Sequence, residues 1–273
     1  MTIVVNVTVP EGIVFSADSR QTYTNRNSDL RVSSDYARKL FQLNKRIGAV
    51  TCGWAFLDGR NINSHIHDFK LSLANPDLPV SEMVKCLGEY LTQAYQAGID
   101  KKIDEPVDEN SYAVSLLVGG YDPGGKQGQV YEVYVPKGES YQVRTSDEKP
   151  GSVWRGYTPV ISRLLRGHDP RIRELPGYNE ELGKGLDDGK LGYLVDYWSL
   201  TLQDAVDYSL FLVHTTIQMQ RFSDGIGLTP GGSANCGGAI DVAVIDPENG
   251  FQWIKSKQLR ASEAYGNLNN AET

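Results

Sequence analysis

Thr2-Ile3-Val4-Val5-Asn6-Val7-Thr8-Val9, then Pro10-Glu11-Gly12, then Ile13-Val14-Phe15-Ser16-Ala17-Asp18, opens the chain as two β-branched runs around a turn cluster. β-Branched side chains pack well on a pleated surface and a Pro-Glu-Gly cluster interrupts it, so residues 3–9 and 13–18 read as a hairpin. The chain begins inside a sheet. Residues 21–35 are polar. Beyond them, residues 39–43 and 47–52 bracket Asn44-Lys45-Arg46 as a second hairpin. From residue 54 to about 73 the spacing relaxes to that of a helix. After Asn75-Pro76-Asp77 a second helix shows Val80, Met83, Val84, Leu87, Leu91 and Ala94 on one face.

Strands follow over residues 112–121 and 129–135, with a shorter one near 141–144, and a short helix is expected over 159–165. Residues 166–195 turn polar and Gly-rich and read as an inserted connection; 222–236 reads as a second insertion. Thr201-Leu202-Gln203-Asp204 is a capping box opening a helix to about Arg221, with apolar positions 202, 206, 209/210, 213 and 217 on one side. Strands over 239–246 and 251–255 close the chain. Runs of strands with helices between them, without strict βα alternation, indicate an α+β fold with helices on the outer faces of antiparallel sheets. No interior linker divides residues 1–273, so a single domain is expected.

The composition sets bounds on function. The 273 residues carry 27 Lys+Arg against 34 Asp+Glu, a net charge of −7, with 40% hydrophobic and 10% aromatic content, which excludes a disordered or collagen-like chain. Without a block of basic charge, neither nucleic acid nor an anionic membrane is expected as the partner. No apolar run approaches the roughly 20 residues of a membrane helix, and Met1-Thr2-Ile3-Val4-Val5 lacks the marks of a targeting segment, so a cytoplasmic location is expected. Cys52, Cys86 and Cys236 have no metal spacing and read as free thiols.

Three motifs are candidate sites of chemistry. Gly120-Tyr121-Asp122-Pro123-Gly124-Gly125-Lys126 fits the outline of a phosphate loop, but Gln127 stands where Ser or Thr must reach magnesium and a strand follows, so it reads as a hairpin turn. His65, His67 and Asp68 could suggest a metal site, but on the predicted helix His65 and His67, at i and i+2, do not share a face, and His168 and His214 are isolated, so no metal site and no Ser-His-Asp triad is expected. The third is Thr2. Removal of Met1 before a small residue would free its α-amine, whose unperturbed pKa near 8 suits it to take the hydroxyl proton as Oγ attacks a carbonyl.

Thr2-Ile-Val-Val-Asn-Val, Gly12-Ile-Val-Phe-Ser-Ala-Asp18-Ser-Arg20-Gln-Thr22, Arg38-Lys39-Leu40-Phe41-Gln42-Leu43, Ile47-Gly48-Ala49-Val50-Thr51-Cys52-Gly53 and Gly237-Gly238-Ala239-Ile240-Asp241-Val242-Ala243-Val244-Ile245 together resemble a proteasome β subunit, an N-terminal-nucleophile (Ntn) hydrolase. With no propeptide before Thr2, the style is that of the unprocessed bacterial homologues. The resemblance covers the first 60 residues and a block at 237–246. It implies a four-layer αββα sandwich of two antiparallel sheets flanked by helices, with Thr2 as nucleophile and Lys39 beside it. Asp18 would hold Lys39 charged, and the Gly53 N–H would form the oxyanion hole, where a side chain would crowd the tetrahedral centre. Arg20, Thr22, Thr51 and Ala55 match substrate-binding positions.

The sequence also departs from that pattern. Arg155-Gly156-Tyr157-Thr158-Pro159 stands where Gly-Ser-Gly-Ser-Pro is usual, and Cys236 where a serine is usual, and the matching Asp is displaced to Asp224. Cys236 and Asp224 are thus the candidates to support the Thr2 amine. Asn6 replaces a glycine. The implied function is a threonine endopeptidase acting on peptides or unfolded proteins, without cofactor, in a homo-oligomeric ring or stack whose ATPase partner, if any, is open. A catalytically silent structural subunit and an amidohydrolase of small amides are the alternatives.

Overall fold

The computed structural model describes residues 2–24, 30–100, 113–223 and 234–258. In chain order the strands and helices are β1 (Ile3–Val9), β2 (Gly12–Ala17), β3 (Gln21–Thr24), β4 (Leu30–Ser34), β5 (Leu40–Gln42), β6 (Ile47–Gly53), β7 (Phe56–Leu57), β8 (Arg60–Asn61), α1 (Ile62–Ser72) and α2 (Val80–Asp100). They continue with β9 (Val114–Tyr121), β10 (Gly128–Val135), β11 (Ser140–Thr145), β12 (Gly151–Gly156), α3 (Pro159–Arg166), α4 (Glu180–Asp187), α5 (Leu202–Phe222), β13 (Asp241–Asp246) and β14 (Gly250–Lys255). Two five-stranded sheets dominate, in the orders β12-β1-β2-β13-β14 and β11-β10-β9-β6-β5, and every pairing in them is antiparallel.

The all-buried pattern of β1 follows from its being covered on both faces. Ile3, Val5, Val7 and Val9 face α5 and α3, packing with Ile161, Val206, Leu212 and Val213, whereas Val4 faces the second sheet. Asn6 and Thr8 also lie on that second face. Their polar groups are satisfied within the first hairpin, Asn6 Nδ2 donating to the Val14 carbonyl at 3.2 Å and Thr8 Oγ1 to Asn6 Oδ1 at 3.1 Å. Ile13, Phe15 and Ala17 of β2 meet Leu40, Val50, Leu117 and Val130 of the second sheet in a core between the sheets. On the far face of that second sheet, Val80, Met83, Val84, Leu87 and Leu91 of α2 bury the stripe expected from their spacing. Asp122, at the end of β9 in the glycine-rich turn, accepts a 2.7 Å bond from Val80 N at the start of α2.

Several elements differ from the sequence reading. The polar stretch 21–35 contains the two-stranded sheet β3-β4, and the helix expected from residue 54 begins only at Ile62. Asp58 and Gly59 both take positive φ, turning the chain between β7 and β8, and Asn61 then caps α1 by accepting from Ser64 N at 2.8 Å. β12 was not foreseen at all, although it is the edge partner of β1. Within 166–195 the chain forms a 3₁₀ turn, Pro170–Glu174, and α4. The capping box at Thr201 and Asp204 is formed as read. No helix among the described residues is long and apolar enough to cross a membrane.

Candidate functional site

A cleft of about 820 Å³ opens at the start of β1, lined by Thr2, Arg20, Thr22, Lys39, Thr51, Gly53 and Ala55 among others. The topology that gathers them is simple. β1 and β2 are adjacent in one sheet and β5 and β6 in the other, so the start of β1, the end of β2 and the Lys39-to-Gly53 hairpin meet at the same end of the two packed sheets.

Asp18 organises this end from below. It is wholly buried, and its carboxylate accepts four hydrogen bonds. Oδ1 takes Ile3 N at 3.1 Å and Lys39 Nζ at 2.7 Å; Oδ2 takes Arg20 N at 3.2 Å and Gly237 N at 3.0 Å. A carboxylate has about four lone-pair sites, so Asp18 is saturated. Lys39 Nζ makes a second bond, 2.6 Å to the Arg20 carbonyl, which leaves one of its three N–H groups uncommitted by these bonds.

Thr2 is buried, and its backbone is clamped from the other side. Its carbonyl accepts Tyr157 N at 2.7 Å, and Gly156 approaches so closely that a Cβ there would lie 1.9 Å from the Thr2 oxygen. Glycine at 156, with φ +93, is therefore required by both space and backbone conformation. Gly156 and Tyr157 belong to the segment that departs from Gly-Ser-Gly-Ser-Pro, and the bond from Tyr157 to Thr2 runs between backbone atoms.

The remaining predicted residues have distinct placements. Arg20 lines the cleft, but its guanidinium is committed to Asp35, with Nε–Oδ1 at 2.7 Å and Nη2–Oδ2 at 2.9 Å, and to the Ala234 carbonyl at 3.2 Å. The guanidinium holds the Asp35 carboxyl below its ordinary range. Thr51 is a buried wall whose N–H bonds the Lys39 carbonyl at 2.9 Å. Gly53 has φ +98, and a Cβ there would strike the Ala113 carbonyl at 2.4 Å. The strand end and its neighbour β9 therefore demand glycine at this position by themselves, whatever a side chain would do at a reacting centre.

Cys236 lies against the same cluster, one residue before Gly237. Its N–H donates to Gln220 Oε1 at 2.9 Å and Gln220 Nε2 reaches its sulfur at 3.4 Å. Burial first, and then the negative charge of Asp18, push its thiol up to about 12, so it is a neutral thiol at ordinary pH. Asp224 lies outside the described residues. The sequence reading missed the aromatic rim of the cleft, where Tyr23, Tyr36, Trp54 and Phe56 are all exposed. It also missed Asp35 as the anchor of Arg20. Clustered exposed aromatics flanking Thr22 and Ala55 are the signal that could have pointed to the rim.

His65 and Asp68 do not combine: His65 Nε2 bonds the Leu57 carbonyl at 2.8 Å inside the core, while Asp68 pairs with Arg60 on the surface. The three cysteines are free.

No family model matches the chain, and no curated protein matches it. Among solved structures it is similar to the Anbu (Gly-1) mutant from Hyphomicrobium sp. strain MC1, at 15% identity and a TM-score of 0.54, covering 94% of this chain and 86% of that one. It is also similar to the Anbu complex from Pseudomonas aeruginosa, at 17% identity and a TM-score of 0.53, covering 93% of this chain and 88% of that one. These findings correct the proteasome β-subunit assignment read from the sequence, since no family model recognises the chain and the likeness to Anbu at 15–17% identity is one of fold. Most of the residues that carried the assignment lie on β1, β2, β5, β6 and β13, where a sheet covered on both faces by itself demands β-branched and small apolar residues.

Proposed function

We propose that this chain hydrolyses peptide or amide bonds with Thr2 as nucleophile, once removal of Met1 has made Thr2 the N-terminal residue. The observation that carries the reading is the double use of Asp18. One buried carboxylate oxygen binds both Ile3 N, which fixes the residue after Thr2, and Lys39 Nζ, which fixes a cation in the cleft that Thr2 lines.

In this mechanism the freed α-amine takes the Thr2 hydroxyl proton while Oγ bonds to the substrate carbonyl carbon. The Lys39 charge favours the neutral amine and the developing alkoxide, and the Gly53 N–H receives the oxyanion. Collapse breaks the C–N bond, and the leaving amine takes the proton back from the α-ammonium. Water deprotonated by the amine then splits the acyl ester, releasing the acid and restoring Thr2. No residue in these steps requires a cofactor.

Substrate is read as an extended segment laid beside Thr22 on β3, with the exposed aromatics of the rim taking apolar side chains and Thr51 and Ala55 walling the position before the scissile bond. Arg20 and Cys236 act through others: Arg20 presents its carbonyl to Lys39, and Cys236 carries Gly237 to Asp18. The order of the three core clusters supports reading the architecture as a four-layer αββα sandwich of Ntn-hydrolase type, one domain over 1–273. The Anbu complex of Pseudomonas aeruginosa forms a helical assembly, and a homo-oligomer, held in the cytoplasm, is proposed here as well.

The test is the intact mass before and after exposure to a peptide epoxyketone or β-lactone. Loss of Met1 and a gain of one inhibitor mass on Thr2, abolished by Thr2→Ala, is the expected result. Retention of Met1 with no labelling overturns the reading in favour of a subunit without hydrolytic activity.

A further inference from the structure

A second cleft, of about 650 Å³, lies where β11 and β12, each an edge strand of its own sheet, come together under α3 and residues 193–197. Four cations line it, Arg144, Lys149, Arg155 and Arg166, and no Asp or Glu among the described residues does. In a chain whose net charge is −7 this is a local reversal of sign.

The cations are not equivalent. Arg155 is compensated by the buried Glu132, which it binds through Nε and Nη2. Among the described residues Arg144 has no such partner. Its Nη1 and Nη2 donate to the Val143 and Ser152 carbonyls at 2.8 and 2.9 Å, and its Nε is buried without an acceptor among those residues. Carbonyl oxygens satisfy N–H groups but leave the guanidinium charge standing, and burial with Arg155 nearby holds the Arg144 pKa below its ordinary value. Gly151 makes room for this guanidinium, since a Cβ there would lie 2.7 Å from Nε.

Around Arg144 the cleft offers further groups that suit an anion. Arg166 is exposed and lies over the Trp154 ring at 5.4 Å, which orients its planar fork. Ser152 Oγ and Tyr197 Oη are 2.6 Å apart, and Tyr208 Oη stands 3.5 Å beyond, a chain of hydroxyls able to turn a donor toward a ligand oxygen. Lys149, exposed at the cleft, supplies a third charge.

We propose that this cleft binds a phosphate group carried on a small molecule, held by Arg144, Arg166 and Lys149 with a hydroxyl of the Ser152–Tyr197 pair. Three cations without a carboxylate match a dianion better than a single carboxylate, and fork geometry suits phosphate oxygens. The volume exceeds what an ion alone needs and falls in the range of small-molecule sites, with Trp154 and Tyr193 as apolar surface for the carrier.

Thermal unfolding and calorimetric titration of the full chain with inorganic phosphate, adenosine monophosphate and adenosine, at constant ionic strength set with chloride, test this. Saturable stabilisation by phosphate and by the monophosphate, absent with adenosine, is expected. Tighter binding of the monophosphate assigns the carrier to the cleft, and equal affinity assigns the ion itself as ligand. Arg166→Ala and Lys149→Ala, both at exposed side chains, should each weaken phosphate binding by about tenfold, and Arg144→Met by more. No saturable shift relative to chloride overturns the proposal, and so does a shift that Arg166→Ala and Lys149→Ala leave unchanged.

Discussion

Asp18 and Glu132 are both wholly buried, both hold one cation, and both accept four hydrogen bonds, yet they are built from different material. Three of the four donors to Asp18 are backbone N–H groups, from Ile3, Arg20 and Gly237, and the fourth is Lys39. All four bonds to Glu132 come from side chains: two from Arg155 and one each from Ser115 and Tyr141. Backbone donors fix the position of Asp18 relative to three separate chain segments, so the lysine it holds is aimed. Side-chain donors tie Glu132 to β9, β11 and β12, joining the edges of the two sheets. The cations differ in the same sense. Lys39 keeps an N–H to spare at a cleft, whereas the Arg155 fork is spent on Glu132 and on the Trp154 carbonyl at 2.8 Å. One buried pair is arranged to present charge and the other to absorb it.

That contrast is broken or upheld by removing each cation. Lys39→Met should slow labelling of Thr2 by an electrophilic peptide by about 10²–10³ per folded molecule, the usual cost of losing one preorganised charge. Arg155→Met should leave that rate within a few-fold of the parent while costing about 3–5 kcal/mol of stability, because Glu132 is left buried without its counter-ion. Urea unfolding read beside labelling rates separates the two. If Lys39→Met labels at the parent rate, Lys39 is a structural cation like Arg155; if both variants lose labelling in proportion to their stability, the distinction between the pairs disappears.

The two pairs were not equally legible in the sequence. Thr2, Asp18 and Lys39 lie on or beside strands whose β-branched runs and turn clusters read directly, and the placing of β1, β2, β5, β6, α2 and α5 agrees with the structure to within a few residues. Glu132 and Arg155 gave no signal. β12 is short, begins and ends in glycine, and mixes Trp154 and Arg155 into its outer half, so its identity as a strand depends on β1 being there to pair with it. The Trp54-to-Asn61 segment failed for a local reason, a turn at Asp58-Gly59 that helical spacing overlooked. Within the site, the residues that line the cleft were recoverable, but their anchors were not. Gly237 reaches Asp18 across 219 positions, and no periodicity encodes such a contact.

Each pair also has a cysteine at its side, and these sharpen the comparison with a smaller effect. Cys236 precedes Gly237 at Asp18, and Cys52 on β6 lies in register with Ser115 on β9, whose hydroxyl donates to Glu132. Burial pushes the Cys52 thiol up to about 11 and the Cys236 thiol up to about 12, from an ordinary value of 9.0. A group whose folded pKa is raised keeps its proton in the native state while the unfolded chain loses it. Stability is therefore unaffected below pH 9 and falls as pH rises above it, by about 1.4 kcal/mol for each thiol at pH 10. Urea unfolding between pH 8 and pH 11.5 should show this limb, and Cys52→Ala and Cys236→Ala should each remove part of it, whatever constant offset either substitution adds. The two should flatten it by similar amounts up to about pH 11, because burial is the first cause of both shifts. The charges beside them act in opposite directions, Asp18 raising the Cys236 thiol and the Arg155 guanidinium lowering that of Cys52, so the share of the limb removed by Cys236→Ala should be at least that removed by Cys52→Ala. A larger share removed by Cys52→Ala would mean that burial alone sets both thiols and that the two carboxylate–cation pairs do not differ in the field they present.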